Sequence, residues 1–281
     1  MRIGLTVFLT DLTIDPATLA REAEARGFDS LYFPEHTHIP VSRETAPPSG
    51  DAELNDEYKR TLDPLIAISA AAAVTNTIRF GTGVSLIAQH DPIVMAKQLA
   101  TLDLISAGRI TLGVGFGWNR DEMGHHGVDY STRREQAREH ILAMIELWSH
   151  DEAAFDGRFV RFSPSWSWPK PAQQPRLRIL VGGGAGPKLF AHVAEYADGW
   201  FPIGGAGVRD AMPALNEAWS VAGRTGTPEV VPFGVIGDVA KLRYYRGLGC
   251  SEVVLRVQGA DRDGTLHQLD SLAVIANEVA E

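Results

Sequence analysis

Apolar residues along this chain come in short unbroken runs, and most of these runs end abruptly in glycine, histidine, tryptophan or proline. The runs at 3–9, 30–33, 78–84, 110–114, 179–181, 199–202, 230–236 and 253–257 are too short for helices and too continuous for strands with one wet face. They read as strands buried on both sides. Helical punctuation fills the gaps between them. Asp15-Pro16, Asp63-Pro64 and Asp91-Pro92 each put a carboxylate at an N-cap and a proline at the first helical position, where the missing N–H costs nothing. The first of these helices should close at Arg26-Gly27 and the third at Ala107-Gly108, where glycine suits a left-handed residue. Thr132-Arg133-Arg134-Glu135 has the form of a capping box, opening a helix to about residue 149 with Ile141, Leu142, Ile145 and Trp148 on one stripe. Later helices are expected from Pro187, Val208, Asp238 and Asp263.

Eight strands alternating with eight helices imply parallel strands with right-handed crossovers, and eight repeats close naturally into a barrel. The expected fold is therefore α/β, a (β/α)8 TIM barrel. An open doubly wound sheet is the alternative, with less in its favour because the first strand is followed by no Gly-x-Gly-x-x-Gly. Two insertions break the rhythm. Residues 37–60, holding Pro47-Pro48-Ser49-Gly50-Asp51, form a long polar excursion after strand 2 that reads as a lid. Before strand 5, residues 155–175 carry a hairpin-like Asp156-Gly157-Arg158 and the aromatic stretch Ser165-Trp166-Ser167-Trp168-Pro169. Neither amounts to a second domain, so residues 1–281 are expected to be one.

Composition narrows the partners. A net charge of −9 with no Lys/Arg run argues against nucleic acid. The single cysteine, Cys250, excludes a disulfide framework and fits a reducing, cytoplasmic compartment as a buried inert thiol. Met1-Arg2-Ile3-Gly4-Leu5 enters a strand at once, and the longest apolar run, 64–74, is too short to span a bilayer. A small-molecule substrate is what remains.

The chemistry concentrates where strand 2 runs straight into Pro34-Glu35-His36-Thr37-His38. Catalytic groups of α/β enzymes sit at the C-terminal ends of strands. Histidine exchanges protons near neutrality, and an adjacent carboxylate would hold its tautomer, so His36 is the candidate proton donor or acceptor and Glu35 its orienting partner. His38 either faces substrate or sits in the lid. A His36-x-His38 metal site is the weaker reading, because strand 8 ends in Arg256-Val257-Gln258 with no obvious further ligand. Gly113, Gly115 and Gly117 clear alternate positions of one strand for a flat ring, with Trp118 as an apolar plane beside it. Gly182-Gly183-Gly184-Ala185-Gly186-Pro187 leaves free N–H groups at a helix start, a seat for phosphate that Lys188 could reinforce. His90 is expected to serve a helix start, His125-His126 to be solvated, and Trp148, Trp200 and Trp219 to pack.

These motifs resemble the luciferase-like monooxygenase superfamily, and within it the deazaflavin-dependent oxidoreductases that use coenzyme F420. The likeness rests on Phe33-Pro34-Glu35-His36, on Gly81-Thr82-Gly83-Val84, on the stretch from Leu112 to Glu122 containing Gly115-Phe116-Gly117-Trp118, and on Ala197-Asp198-Gly199-Trp200. It implies a TIM barrel with a flavin or deazaflavin over the strand ends and a homodimer. It also implies a non-proline cis peptide at Gly83-Val84 beneath the ring, Glu35 as a cofactor contact, and cofactor phosphate near 182–185. Relatives acting on sugar phosphates carry glutamate where this chain has Trp118, which argues against that substrate class. The expected activity is hydride transfer between F420 and a small organic substrate. The alternatives are an FMN-dependent monooxygenase of the same superfamily and a non-catalytic flavin- or deazaflavin-binding protein.

Overall fold

In a computed structural model of the chain, which describes residues 1–46 and 53–280, strands form where the apolar runs fall. The chain runs β1 (Arg2–Thr6), α1 (Pro16–Ala25), β2 (Ser30–Phe33), α2 (Asp56–Lys59), α3 (Pro64–Ala72), β3 (Arg79–Thr82), β4 (Ser85–Leu86), α4 (Pro92–Ile105), β5 (Ile110–Gly115), α5 (Arg120–His125) and α6 (Arg133–Ser149). It continues through β6 (Glu152–Asp156), β7 (Arg161–Trp166), β8 (Arg178–Gly182), α7 (Pro187–Tyr196), β9 (Gly199–Phe201), α8 (Val208–Val221), β10 (Glu229–Val230), β11 (Phe233–Val235), α9 (Val239–Gly247), β12 (Glu252–Arg256) and α10 (Arg262–Ala280). The Asp-Pro starts work as their chemistry requires: Asp15, Asp63 and Asp91 each accept a backbone N–H of their helix's first turn.

The strands make a curled parallel sheet in the order β10-β9-β8-β5-β3-β2-β1-β12-β11, with β4 on β5. Its two end strands are consecutive in the chain, separated only by Val231 and Pro232. The N–H of Val231 donates to Trp200 O at 2.9 Å, and that of Val254 to Pro232 O at 2.8 Å, so the segment 229–235 bonds to both ends of the sheet.

Alternation along each strand separates two apolar layers. Leu31, Phe33, Val181, Trp200, Val253 and Leu255 pack in the large cluster under the helices. Their neighbours Tyr32, Leu180, Phe201 and Val254 form a second cluster on the opposite, concave face, with Val84 and Phe233 beside them. At the strand starts this face is filled by charge: Arg178 binds Glu229 at 2.6 Å and Glu252 at 3.1 Å, and Arg2 reaches Glu229 at 3.2 Å. Burial works against the Arg178 charge, but Tyr32, Glu229 and Glu252 outweigh it and hold the guanidinium above its usual range. Glycine makes room for the aromatic layer. A Cβ on Gly81 would lie 2.5 Å from the Tyr32 ring and 2.9 Å from Thr111 O. Gly81→Ala should therefore cost about 1–3 kcal/mol by overpacking, read as a lower urea midpoint at unchanged slope.

Several boundaries differ from expectation. The seventh strand splits where Pro232 has no N–H to give the ladder. Asp156-Gly157-Arg158 does turn a hairpin, but its first strand already starts at Glu152. Thr132 makes no cap bond: its backbone (φ −104°, ψ 0°) has left the extended region a capping residue needs, and Glu135 accepts from Arg158 at 3.0 Å instead. The stretch 47–52, within the expected lid, lies outside the described residues. Among the described residues no helix is long and apolar enough to cross a membrane.

Candidate functional site

At the C-terminal ends of the strands a cleft of about 390 Å3 opens onto the concave face. Val84, Leu86, Phe233, Tyr58 and Trp118 give it apolar walls, and His36, Glu35 and Arg256 are its charged or titratable groups. The peptide between Gly83 and Val84 is cis. The glycine at 83 is required by crowding, because a Cβ there would sit 2.7 Å from the Phe233 ring.

His36 stands on one wall with its ring 5.3 Å from that of Tyr58 and 5.9 Å from that of Trp118, measured between centroids. Its Nδ1 lies 2.9 and 3.1 Å from the two carboxylate oxygens of Glu122, and Glu122 is almost wholly buried. A carboxylate only accepts, so Nδ1 carries the hydrogen and Nε2 is left to take or give a proton in the cleft. The partner of His36 is thus Glu122, not the adjacent Glu35. Helix α5 delivers it: Asn119 caps that helix by accepting the Glu122 N–H at 3.3 Å. The helix is then tied to the loop after β2. Asp121 accepts the Glu44 N–H at 3.1 Å, Thr37 Oγ1 lies 2.8 Å from His126 Nε2, and His38 Nε2 lies 2.9 Å from His125 Nδ1. His38, expected at substrate or in the lid, lies in the excursion after β2, is turned toward α5 and does not line the cleft. His125 and His126, though exposed, belong to this clasp.

Glu35 does different work. One carboxylate oxygen accepts from Ser85 Oγ at 2.5 Å and from Leu86 N–H at 2.7 Å, and the other lies 2.5 Å from His90 Nε2. Burial alone would raise its pKa, but His90 and the Ser85 and Leu86 donors hold it below the usual carboxylate range. His90 is opposed by burial and held above its ordinary value by Glu35. The imidazole expected to serve a helix start is an ion-pair partner, and Asp91 caps α4 without it. The pair fastens the turn that carries Val84 into the cleft.

The glycine series behaves differently from a platform for a ring. The free face of Gly113 is closed by Thr82 O and Phe201, that of Gly115 by Val84, and Gly117 turns left-handed (φ 74°) over Met123. Gly115 and Gly117 do not line the cleft; Trp118 does. Gly182, Gly183, Gly184 and Ala185 also lie outside the lining, at the entrance to α7, where nothing approaches the free face of Gly184. Trp148, Trp200 and Trp219 are buried, each donating its indole N–H to a carbonyl, and Cys250 is buried.

Comparison with known proteins matches the family described as luciferase-like monooxygenase over residues 15–236. An uncharacterized protein of Mycobacterium tuberculosis is 45% identical over 276 residues, covering 97% of this chain and 98% of its own. An F420-dependent glucose-6-phosphate dehydrogenase of Kineococcus radiotolerans is 26% identical over 74% of this chain and 59% of its own. An FMNH(2)-dependent dimethylsulfone monooxygenase of Pseudomonas putida is 30% identical over 48% and 38%. Among solved structures, an F420-dependent secondary alcohol dehydrogenase in complex with an F420-acetone adduct superposes with a TM-score of 0.77 at 17% identity, covering 99% of this chain and 98% of its own.

Proposed function

The chain belongs to the luciferase-like monooxygenase family, and from that premise we propose that it moves a hydride between coenzyme F420 and a small organic substrate in the cleft around His36. The curled sheet is read here as a closed (β/α)8 barrel, with β10 and β11 as one strand and β6–β7 as an insertion. The observation that carries the activity is the buried His36–Glu122 pair beside apolar walls at the strand ends.

The lining suits a flat, largely apolar ring. Val84 and Phe233 offer a floor, Tyr58 and Trp118 a side wall, and Glu35 keeps the Val84 turn in place. When bound, the deazaflavin supplies a ring carbon that gives or accepts the hydride. This chain's residues manage the rest. Glu122 orients the imidazole, and Nε2 of His36 exchanges the proton that accompanies hydride transfer at the substrate oxygen. Tyr58, from the excursion after β2, keeps water from that side. The cofactor's phosphate is assigned to the turn Gly182-Gly183-Gly184-Ala185 at the entrance to α7, where nothing approaches the free face of Gly184. In this reading Gly115 and Gly117 support the site indirectly, through Val84 and the turn into α5.

Titration with F420 and with FMN, followed by quenching of tryptophan fluorescence, tests the reading. F420 should bind at least about tenfold more tightly, about 1.4 kcal/mol. Preference for FMN by that margin, with oxygen consumed by the reduced complex, would instead make the protein an FMN-dependent monooxygenase.

A further inference from the structure

Glu252, Val254 and Arg256 alternate along the concave face of β12, so that Arg256 emerges at the rim of the cleft opposite the buried charges of the strand starts. It is the only lysine or arginine among the described lining residues. Other arginines of this protein are firmly held: Arg178 by carboxylates at 2.6 and 3.1 Å, Arg176 by Asp198 at 2.7 Å, and Arg60 by Asp11 and Asp56 at 2.8 and 2.7 Å. Arg256 has one ionic contact among the described residues, Glu57 Oε1 at 3.5 Å, beyond hydrogen-bonding optimum. Half of its side chain is exposed. A guanidinium placed at the mouth of an apolar pocket and left without a close partner has its planar pair of donors available.

We propose that Arg256 recognises a carboxylate on the substrate, so that the reaction acts on a compound with an apolar body, an oxygen-bearing carbon facing His36, and an anionic end at the β12 rim. The inference rests on the reading of this cleft as the place of reaction. A carboxylate fits better than a phosphate dianion, because the described lining offers one lysine or arginine and no second. Glu57 occupies the position in the free protein that the substrate carboxylate takes in the complex. Burial already pushes the Glu57 carboxyl above its usual range, with Arg256 opposing, so this carboxylate is a weak competitor. The walls formed by Tyr58, Trp118 and Phe233 favour an aromatic or branched body over a sugar.

The experiment compares 3-benzoylpropionate with its methyl ester, which has the same body and no charge. Binding is measured by calorimetry to the protein with and without F420, in wild type, Arg256→Gln and Glu57→Gln. The acid should bind wild type about ten- to a hundredfold more tightly than the ester, the ordinary worth of a charge-assisted bond. Arg256→Gln should bring that ratio close to one. Glu57→Gln should raise acid affinity severalfold, the opposite sign, which a merely structural role for Arg256 would not produce. An acid-to-ester ratio that Arg256→Gln leaves unchanged, or no preference for the acid in wild type, absence of binding by both included, overturns the proposal. If F420 does not bind, the proposed reaction fails, but the ratio in the cofactor-free protein still decides the role of Arg256.

Discussion

Replacing His36 with alanine is expected to lower turnover by about 10²–10⁴-fold while leaving cofactor affinity close to wild type, and to lower the thermal midpoint because Glu122 loses its buried partner. The expectation follows from the geometry of the pair. Glu122 fixes Nδ1–H, so all proton traffic in the cleft runs through Nε2. Removing the imidazole takes away the one histidine among the described lining residues, and Glu35 is spent on Ser85, Leu86 and His90. Glu122→Gln separates orientation from charge. The amide keeps the volume but can donate to Nδ1, which selects the wrong tautomer, so the rate should fall by a comparable factor at nearly constant substrate affinity. Stopped-flow bleaching of the deazaflavin absorbance in a single turnover reads the step directly, and thermal unfolding checks the fold. Unchanged rates in both variants would reduce the protein to a ring-binding carrier.

The second large effect concerns stability. Glu35→Ala strips the buried partner from His90 and leaves Ser85 Oγ and the Leu86 N–H without an acceptor. Loss of one member of a buried pair costs about 3–5 kcal/mol, which for a chain of this size lowers Tm by roughly 10 °C. The contribution has a pH window. Glu35 is lowered from 4.5, so its share of the stability is present above that value and is lost as acid carries the pH through its lower folded pKa. His90 is raised from 6.5, so its share is complete below that value and is lost as the pH rises through its higher folded pKa. The difference in unfolding free energy between wild type and Glu35→Gln should therefore be greatest between pH 4.5 and 6.5 and shrink on both sides. A difference independent of pH would contradict the ion pair. The same variant should weaken ring binding, because Leu86 and Ser85 follow directly on Val84.

Local signals were readable in the sequence, and pairings across the fold were not. A strand at each of the eight apolar runs, the three Asp-Pro helix starts and the position of His36 at the end of β2 each depend on a few neighbouring residues and are found there, although strand ends shift and the seventh run is split. The partner of His36 lies 86 residues away and depends on the direction in which α5 leaves β5. Glu35 was adjacent in sequence but faces the other way, toward a histidine 55 residues on. A hint was present in Asn119-x-x-Glu122, which has the spacing of a capping box. There an acid at the third helical position is expected to turn back to its own cap, whereas here it turns to His36. The glycines at 113 and 115 show the limit most plainly. Alternate glycine looks the same in sequence whether it admits a ligand or a side chain of the protein, and here Phe201 and Val84 fill the space. Pro232 was visible, yet its consequence, a strand broken between two neighbours, depends on both ends of the sheet meeting there.

The proposed function requires a planar redox ring at the strand ends with its reactive carbon near His36. A crystal structure of the F420 complex tests it most directly. The ring should lie against Val84 and Phe233, with its reactive edge toward Nε2 of His36 and its phosphate at residues 182–185. A ring bound elsewhere, or with the imidazole out of hydrogen-bonding reach of a substrate on that ring, would contradict it.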